Sequence, residues 1–413
     1  MRKKDTDQIK VSIVCLTYNH GELLEKALQS FIAQETEFAF EIIVHDDAST
    51  DGTSKLLERY AALYPDIIKP IFQIENQYWK CPIFLTYVLP RVRGEYIAIC
   101  DGDDYWIDDK KLSKQVTFMD DNPECTLFIH NGYREYMENG KRESLNTFPS
   151  SGFYSHRENV MHGLGTDFPV SSSMLLRTSI LEDAPTFFLK TKALDYPLRQ
   201  YCACKGSVFY SDEIMSVYRV NTPTSFMRKT RVDEVFYRKY TLEMIQFFEK
   251  YNVYTDGKFY PILKTKIASD YYGFCASYSK DDSAYFYDDI RESGIDADRA
   301  IEYYKKISVE YIDYRIKELK ENTDQLFIYG TSRLANICAR QMKLNNVDFD
   351  GFAVSEGQIK VDTFEEKRVF YLGEIENIEK CGFVIAVQPT NVHFLVDNLK
   401  AYKCNNYCIP YNE

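Results

Sequence analysis

Short apolar runs alternate with amphipathic stretches through the first hundred residues, and this pattern constrains the fold more than any other feature. KVSIVCLTYN (10–19) is apolar and rich in β-branched residues, and GELLEKALQSFIAQ (21–34) places Leu23, Leu24, Ala27, Leu28 and Phe31 on one helical face. EIIVHDD (41–47) reads as a second strand, followed by a helix in STDGTSKLLERYAALYP with Ser49, Thr50 and Asp51 as caps. KPIFQI, a helix over PIFLTYVLPRVRG, and EYIAICD continue the alternation. Strand–helix alternation predicts parallel strands joined by right-handed crossovers, an α/β sheet. Ligands of such sheets bind beyond the carboxyl ends of the strands. Three polar clusters fall at those ends: Thr17-Tyr18-Asn19, Asp46-Asp47 and Asp101-Gly102-Asp103.

The third cluster carries the sharpest chemistry. YIAICDGDDYW runs from a buried strand directly into carboxylates, and buried charge is costly unless paired or bound to metal. Asp101 and Asp103 stand one residue apart, with Gly102 allowing a tight turn between them. A hard divalent cation takes oxygen ligands and keeps positions for substrate phosphates. The alternative reading, a solvated turn and helix cap, suits Asp108 and Asp109.

Further along, helices are predicted at DDKKLSKQVTFMDD and LDYPLRQYCACKG, and strands at CTLFIHNGY, SSSMLLRT and SVFYSDEIMSVYRV. Residues 231–321 read as helical, and after Asn322 the alternation restarts as a smaller α/β unit. The expected organisation is therefore 1–230, 231–321 and 322–413. In FIYGTSRLA, Ser332 and Ala335 replace the second and third glycines of a dinucleotide fingerprint, which favours an interaction module over a redox one.

Composition excludes other classes. The formal net charge of -12 argues against a nucleic-acid polymer as partner. No apolar run approaches the ~20 residues of a membrane span. The 11 cysteines form no CxxC pair, so reduced cytoplasmic thiols are the better reading than a zinc site.

VSIVCLTYNH, EIIVHDDASTDGT, RGEYIAICDGDDYW and LDYPL…VYRV occur in an order and spacing that resembles family-2 glycosyltransferases of the GT-A fold, over residues 9 to 225. The resemblance implies an inverting enzyme that moves a sugar from a nucleotide diphosphate, with a UDP-sugar as the expected donor and Mn²⁺ or Mg²⁺ as cofactor. It makes Asp103 the main metal ligand, with Asp101 reaching the metal or the ribose. Asp46 would select uracil, and Tyr18 would stack on the base. Thr17, Asn19, Asp47, Ser49 and Gly102 complete the nucleotide site. Asp104, Trp106, Ser172, Ser173, Tyr218 and Arg219 would line the sugar or acceptor pocket, and Asp195 would be the base. Asn221 departs from the family pattern, which places a His shortly after the Tyr-Arg pair. The implied acceptor is a glycan, lipid-linked or protein hydroxyl in cell-surface glycan assembly, on the cytoplasmic side, with peripheral contact at the inner membrane face. The rival reading is a glycan-binding scaffold that retains the fold without catalysis.

Overall fold

The computed structural model describes residues 8–161, 169–278, 283–308, 314–358, 361–387 and 392–409. The chain divides into two units, 1–232 and 233–413. Residues 231–321, read from the sequence as a separate segment, fall mostly within the second unit.

In the first unit the strands are β1 (Ile9–Thr17), β2 (Ala39–Asp46), β3 (Ile68–Phe72), β4 (Tyr96–Ile99), β5 (Tyr105–Trp106), β6 (Cys125–Tyr136), β7 (Arg142–Ser144), β8 (Gly152–Tyr154), β9 (Leu175–Arg177) and β10 (Ser207–Val220). The sheet runs β3-β2-β1-β4-β9-β6-β10-β5, with β7 beside β6 and β8 beside β10. The half from β3 to β4 is parallel, as the alternation predicts. Strand β9 is antiparallel to β4 and β6, and β10 is parallel to β6. The interleaved helices are α1 (Gly21–Ile32), α2 (Thr53–Leu63), α3 (Lys111–Asp121), α4 (His156–Met161), α5 (Asp195–Lys205) and α6 (Phe226–Val232). Helix α1 buries Leu24, Ala27, Leu28 and Phe31 against Val11, Ile13, Val44 and Trp106 in one apolar core.

Two expected elements differ. The helix read over PIFLTYVLPRVRG is a π turn at Phe84–Val88 followed by a 3₁₀ turn at Leu89–Arg91. Pro90 lacks the N–H that a regular ladder needs at that point. SSSMLLRT is strand only over Leu175–Arg177, because Ser171–Ser173 wind into a 3₁₀ turn.

The second unit contains helices α7 (Glu234–Tyr254), α8 (Tyr260–Ala276), α9 (Ser283–Ser293), α10 (Ala297–Ser308), α11 (Tyr314–Glu321), α12 (Arg333–Leu344) and α13 (Val392–Ala401). Its strands are β11 (Leu326–Tyr329), β12 (Gly351–Val354), β13 (Thr363–Phe364), β14 (Lys367–Tyr371), β15 (Gly382–Ile385) and β16 (Tyr407–Cys408), in the order β13-β14-β12-β11-β15-β16. All pairs are parallel except β13 with β14. Apolar clusters cover both faces, which is the burial a parallel sheet requires. Among the described residues no helix is long and apolar enough to cross a membrane.

A lysine sits inside the first unit's core. Lys111 is wholly buried; its Nζ donates to Gln115 Oε1 at 2.7 Å and stands 4.0 Å from the centre of the Trp106 ring. Burial pulls its ammonium down from 10.5 to about 7. Because the folded value lies below the unfolded one, the penalty of holding the charge is complete below pH 7 and fades as pH climbs towards 10.5. The Tm of Lys111→Met relative to wild type is therefore expected to be most favourable near pH ~6 and to lose ground by pH ~10. Thermal melts across that range check the sign, and an advantage that grew with pH would contradict it.

Candidate active site

The ends of β1, β2 and β4 bring the three polar clusters to one edge. Thr17 lies in register with Asp46, and the Asp47 N–H donates to the Thr17 carbonyl at 3.0 Å. The chain leaving β4 passes beneath β1, where the Gly102 N–H donates to the Leu16 carbonyl at 2.9 Å. A Cβ on Gly102 would lie 2.8 Å from both Thr17 Oγ1 and His20 Nδ1. Glycine is thus needed for close approach; its φ is not in the left-handed region, so the turn itself does not demand it.

Four carboxylates, Asp101, Asp103, Asp104 and Asp195, lie on the β4 side of this edge. Asp101 accepts from Ser171 Oγ at 3.1 Å, and its pKa rises to about 7, through burial first and then Asp103, with Asp195 adding to the effect. Asp103 accepts from Thr222 Oγ1 at 3.0 Å, while its carbonyl accepts from Arg219 Nη1 at 3.1 Å. Asp104 is buried and accepts the Arg219 N–H at 2.9 Å; burial, then Asp103, holds its carboxyl well above the usual range. Asp195 is the first residue of α5, and Leu194 occupies the cap position. Burial raises the Asp195 carboxyl, partly offset by the Tyr196 N–H and Arg199. The Tyr218 hydroxyl is pushed up by burial and then by Asp104, Asp103 and Asp195, so this tyrosine belongs to the same cluster.

This donor set fits a divalent cation. Asp101 and Asp103 offer carboxylate oxygens, hard ligands that suit magnesium or manganese. Their mutual repulsion is what a cation would relieve, and the guanidinium of Arg219 reaches the Asp103 backbone rather than its carboxylate. Among the described residues no group of three or more His, Cys, Asp or Glu side chains forms a complete cage. Two protein carboxylates leave coordination positions for phosphate oxygens, the usual arrangement for magnesium.

The β2 side presents a different surface. Asn19 adopts φ 53°, its N–H donates to Ser49 Oγ at 2.8 Å, and its Oδ1 accepts from the Thr50 N–H at 2.7 Å. Asp46 is fully engaged locally: Oδ1 accepts from the Ser49 N–H and Oγ, and Oδ2 from Ser54 Oγ. Asp47 behaves otherwise. Its Oδ1 accepts the Gln77 N–H at 2.7 Å, whereas its buried Oδ2 accepts no hydrogen bond among the described residues. Burial raises its carboxyl, offset by the Gln77 and Tyr78 N–H groups. Tyr18 carries the Lys229 ammonium 5.6 Å from its ring centre.

Several expected pocket residues are framework instead. Trp106 is buried against Phe31 and donates from Nε1 to the Ser172 carbonyl at 2.9 Å. Ser172 and Ser173 have no exposed surface; Ser172 Oγ donates to Ser216 Oγ and Ser173 Oγ to the Val170 carbonyl. Ser171 is the serine of that turn that reaches Asp101. Arg219 is buried, packs on the Tyr105 ring at 4.6 Å and donates to the Leu23 and Asp103 carbonyls, and Asp104 anchors its backbone. The physical reason is common to all: their polar atoms are consumed in holding the serine turn, β5, β10, α1 and the turn after β4. His45 and His130 are core residues, and burial lowers the first to about 4. Thr222 has no motif in the sequence to mark it; a hydroxyl two residues beyond the end of β10 is the available signal.

Glycosyl transferase family 2 matches residues 12–184. An uncharacterized protein of Mycobacterium tuberculosis is 37% identical over 212 residues, 51% of this chain and 58% of that one. The putative glycosyltransferase EpsE of Bacillus subtilis is 33% identical over 156 residues, 37% of this chain and 54% of that one. The chain spans about half the length of the curated relatives it matches. Staphylococcus aureus TarS 1–349, solved in complex with UDP, aligns at 16% identity and a TM-score of 0.44, covering 75% of this chain and 92% of that one. With its sheet order and the family match spanning β1 to β9, the N-terminal unit has the GT-A fold and is similar to glycosyl transferase family 2 over residues 12–184.

Proposed function

We propose that the protein transfers a sugar from a UDP-sugar to an acceptor hydroxyl with inversion at the anomeric carbon. The observation that carries this reading is the convergence of Asp101, Asp103 and Asp195 on one edge of the sheet. Asp103 and Asp101 would hold a Mn²⁺ or Mg²⁺ ion, which supplies Lewis-acid stabilisation of the departing diphosphate. Asp195, its carboxyl raised by burial, takes the acceptor hydroxyl proton as the oxygen bonds to the anomeric carbon and the bond to the diphosphate breaks. Ser171 and Thr222 orient the two metal-facing carboxylates. Tyr18, Asn19 and Asp47 face the nucleotide. An Escherichia coli relative, 32% identical over 124 residues, is named as a glucosyltransferase using UDP-Glc and a diphosphoundecaprenol-linked sugar. Together with EpsE and the teichuronic acid glycosyltransferase TuaG, it supports a role in cell-surface polysaccharide assembly on a glycan, lipid-linked or protein acceptor.

The base assignment is tested by Asp195→Asn. An amide retains the shape and the N-terminal contacts of α5 but takes no proton at neutral pH. Turnover of a UDP-sugar panel should fall at least ~10²-fold, with Tm and UDP affinity retained. A wild-type rate in this variant would remove Asp195 from the base role.

Base recognition separates the paired carboxylates. Asp47→Asn should weaken UDP binding by about 1.5–3 kcal/mol, the range for a hydrogen bond to a charged group. Asp46→Asn should chiefly lower Tm, because its oxygens serve Ser49 and Ser54. Calorimetry with UDP and GDP distinguishes the two, and a preference of the wild type for GDP would overturn the uracil assignment.

Asp103→Asn keeps an acceptor for Thr222 while removing the charge. Metal-dependent UDP binding should weaken more than ~10-fold, since even outer-shell losses at metal sites cost 10–100-fold. Unchanged Mn²⁺ dependence in calorimetry would reject Asp103 as a ligand.

A further inference from the structure

One side chain spans the segment that leads into Asp195 and the segment that faces Asp47. Lys192, three residues before α5, donates from Nζ to the Cys81 carbonyl at 3.0 Å across 111 positions of sequence. Its ammonium stands 5.5 Å from the centre of the Tyr78 ring and 5.8 Å from that of Trp79, two rings packed edge to face at 5.2 Å. The same 76–81 segment gives Asp47 its Gln77 N–H, and the charge of Lys192 acts on the Asp47 carboxyl. Trp79 is 40% exposed, so this contact lies at the surface of the nucleotide edge rather than in the core.

A lysine suits a tie of this kind. Its ammonium is attracted to the two aromatic rings, and it keeps a donor for one carbonyl. The contact links two stretches with no strand pairing between them: 76–81 follows the edge strand β3, and 189–194 precedes α5. We propose that Lys192 is a positioning residue that couples nucleotide engagement at Asp47 to the placement of Asp195. This rests on the reading of Asp47 as the nucleotide contact and Asp195 as the base. When a nucleotide settles the 76–81 segment, Lys192 carries that ordering to the start of α5, so the base is set once the donor is bound.

Amide hydrogen exchange of the full chain with UDP and Mn²⁺ tests the coupling without an acceptor. In the wild type, UDP should slow exchange about tenfold in both 76–81 and 195–200. In Lys192→Met the slowing should persist at 76–81 and disappear at 195–200, and Lys192→Arg should restore it. Retained slowing at 195–200 in Lys192→Met would overturn the coupling. If UDP slows exchange at neither segment of the wild type, the nucleotide reading falls and the coupling with it. Turnover of Asp195→Asn is a separate readout: loss there, with wild-type exchange behaviour in Lys192→Met, leaves the base standing and removes Lys192 from its role.

Discussion

The site depends on how Asp104 and Arg219 hold the turn that follows β4. The buried Asp104 carboxylate accepts the Arg219 N–H, and the Arg219 guanidinium returns to the carbonyls of Asp103 and Leu23. One carboxylate and one guanidinium thereby fasten the turn to β10 and to α1. A buried ionisable group is tolerated only when its hydrogen bonds are made, and removing the Asp104 side chain would leave the Arg219 N–H without that acceptor. Gly102 completes the arrangement by letting the turn lie against Thr17 and His20. Asp101 and Asp103 are thus held where their charges repel, which is the feature the proposed cation would relieve.

The two halves of the sheet divide the work. The parallel half from β3 to β4 ends in Thr17, Asp47 and the carboxylate turn, while β9, β6 and β10 support the serine turn, Tyr218 and Thr222. The antiparallel insertion of β9 between β4 and β6 brings Ser171 beside Asp101. Polar groups in this framework are paired among themselves, as Trp106 with Ser172 and Gln115 with Ser173 show. Those that face the edge keep open acceptors, and Asp47 Oδ2 is the clearest.

Asp46 and Asp47 illustrate how adjacent residues part company. Both are carboxylates at the end of β2, both are buried, and spacing alone cannot rank them. Successive side chains of a strand point to opposite faces. One therefore meets the turn into α2, where Ser49 and Ser54 occupy it, and the other meets the segment after β3. Base recognition consequently moves from Asp46, the sequence expectation, to Asp47 in the proposal.

What the sequence determined by itself was the parallel α/β order and the strand ends at which the polar clusters lie, and it singled out Asp101, Asp103 and Asp195, on which the proposal rests. These are legible because apolar periodicity specifies strands and helices, and because carboxylates at the end of a buried strand have few inexpensive explanations. Only the tertiary structure decided which polar residues are consumed in the framework. Trp106, Ser172, Ser173 and Arg219 read as pocket residues from their motifs, yet Trp106, Ser172 and Arg219 are satisfied by partners at least 40 positions away, and the Ser173 hydroxyl by the Val170 carbonyl within its own turn. Ser171, Thr222 and Lys192 gain their meaning in the same way, from Asp101, Asp103 and Cys81. Hydrogen-bond satisfaction is a property of atoms brought together by the fold, so residue type and spacing along the chain cannot reveal it.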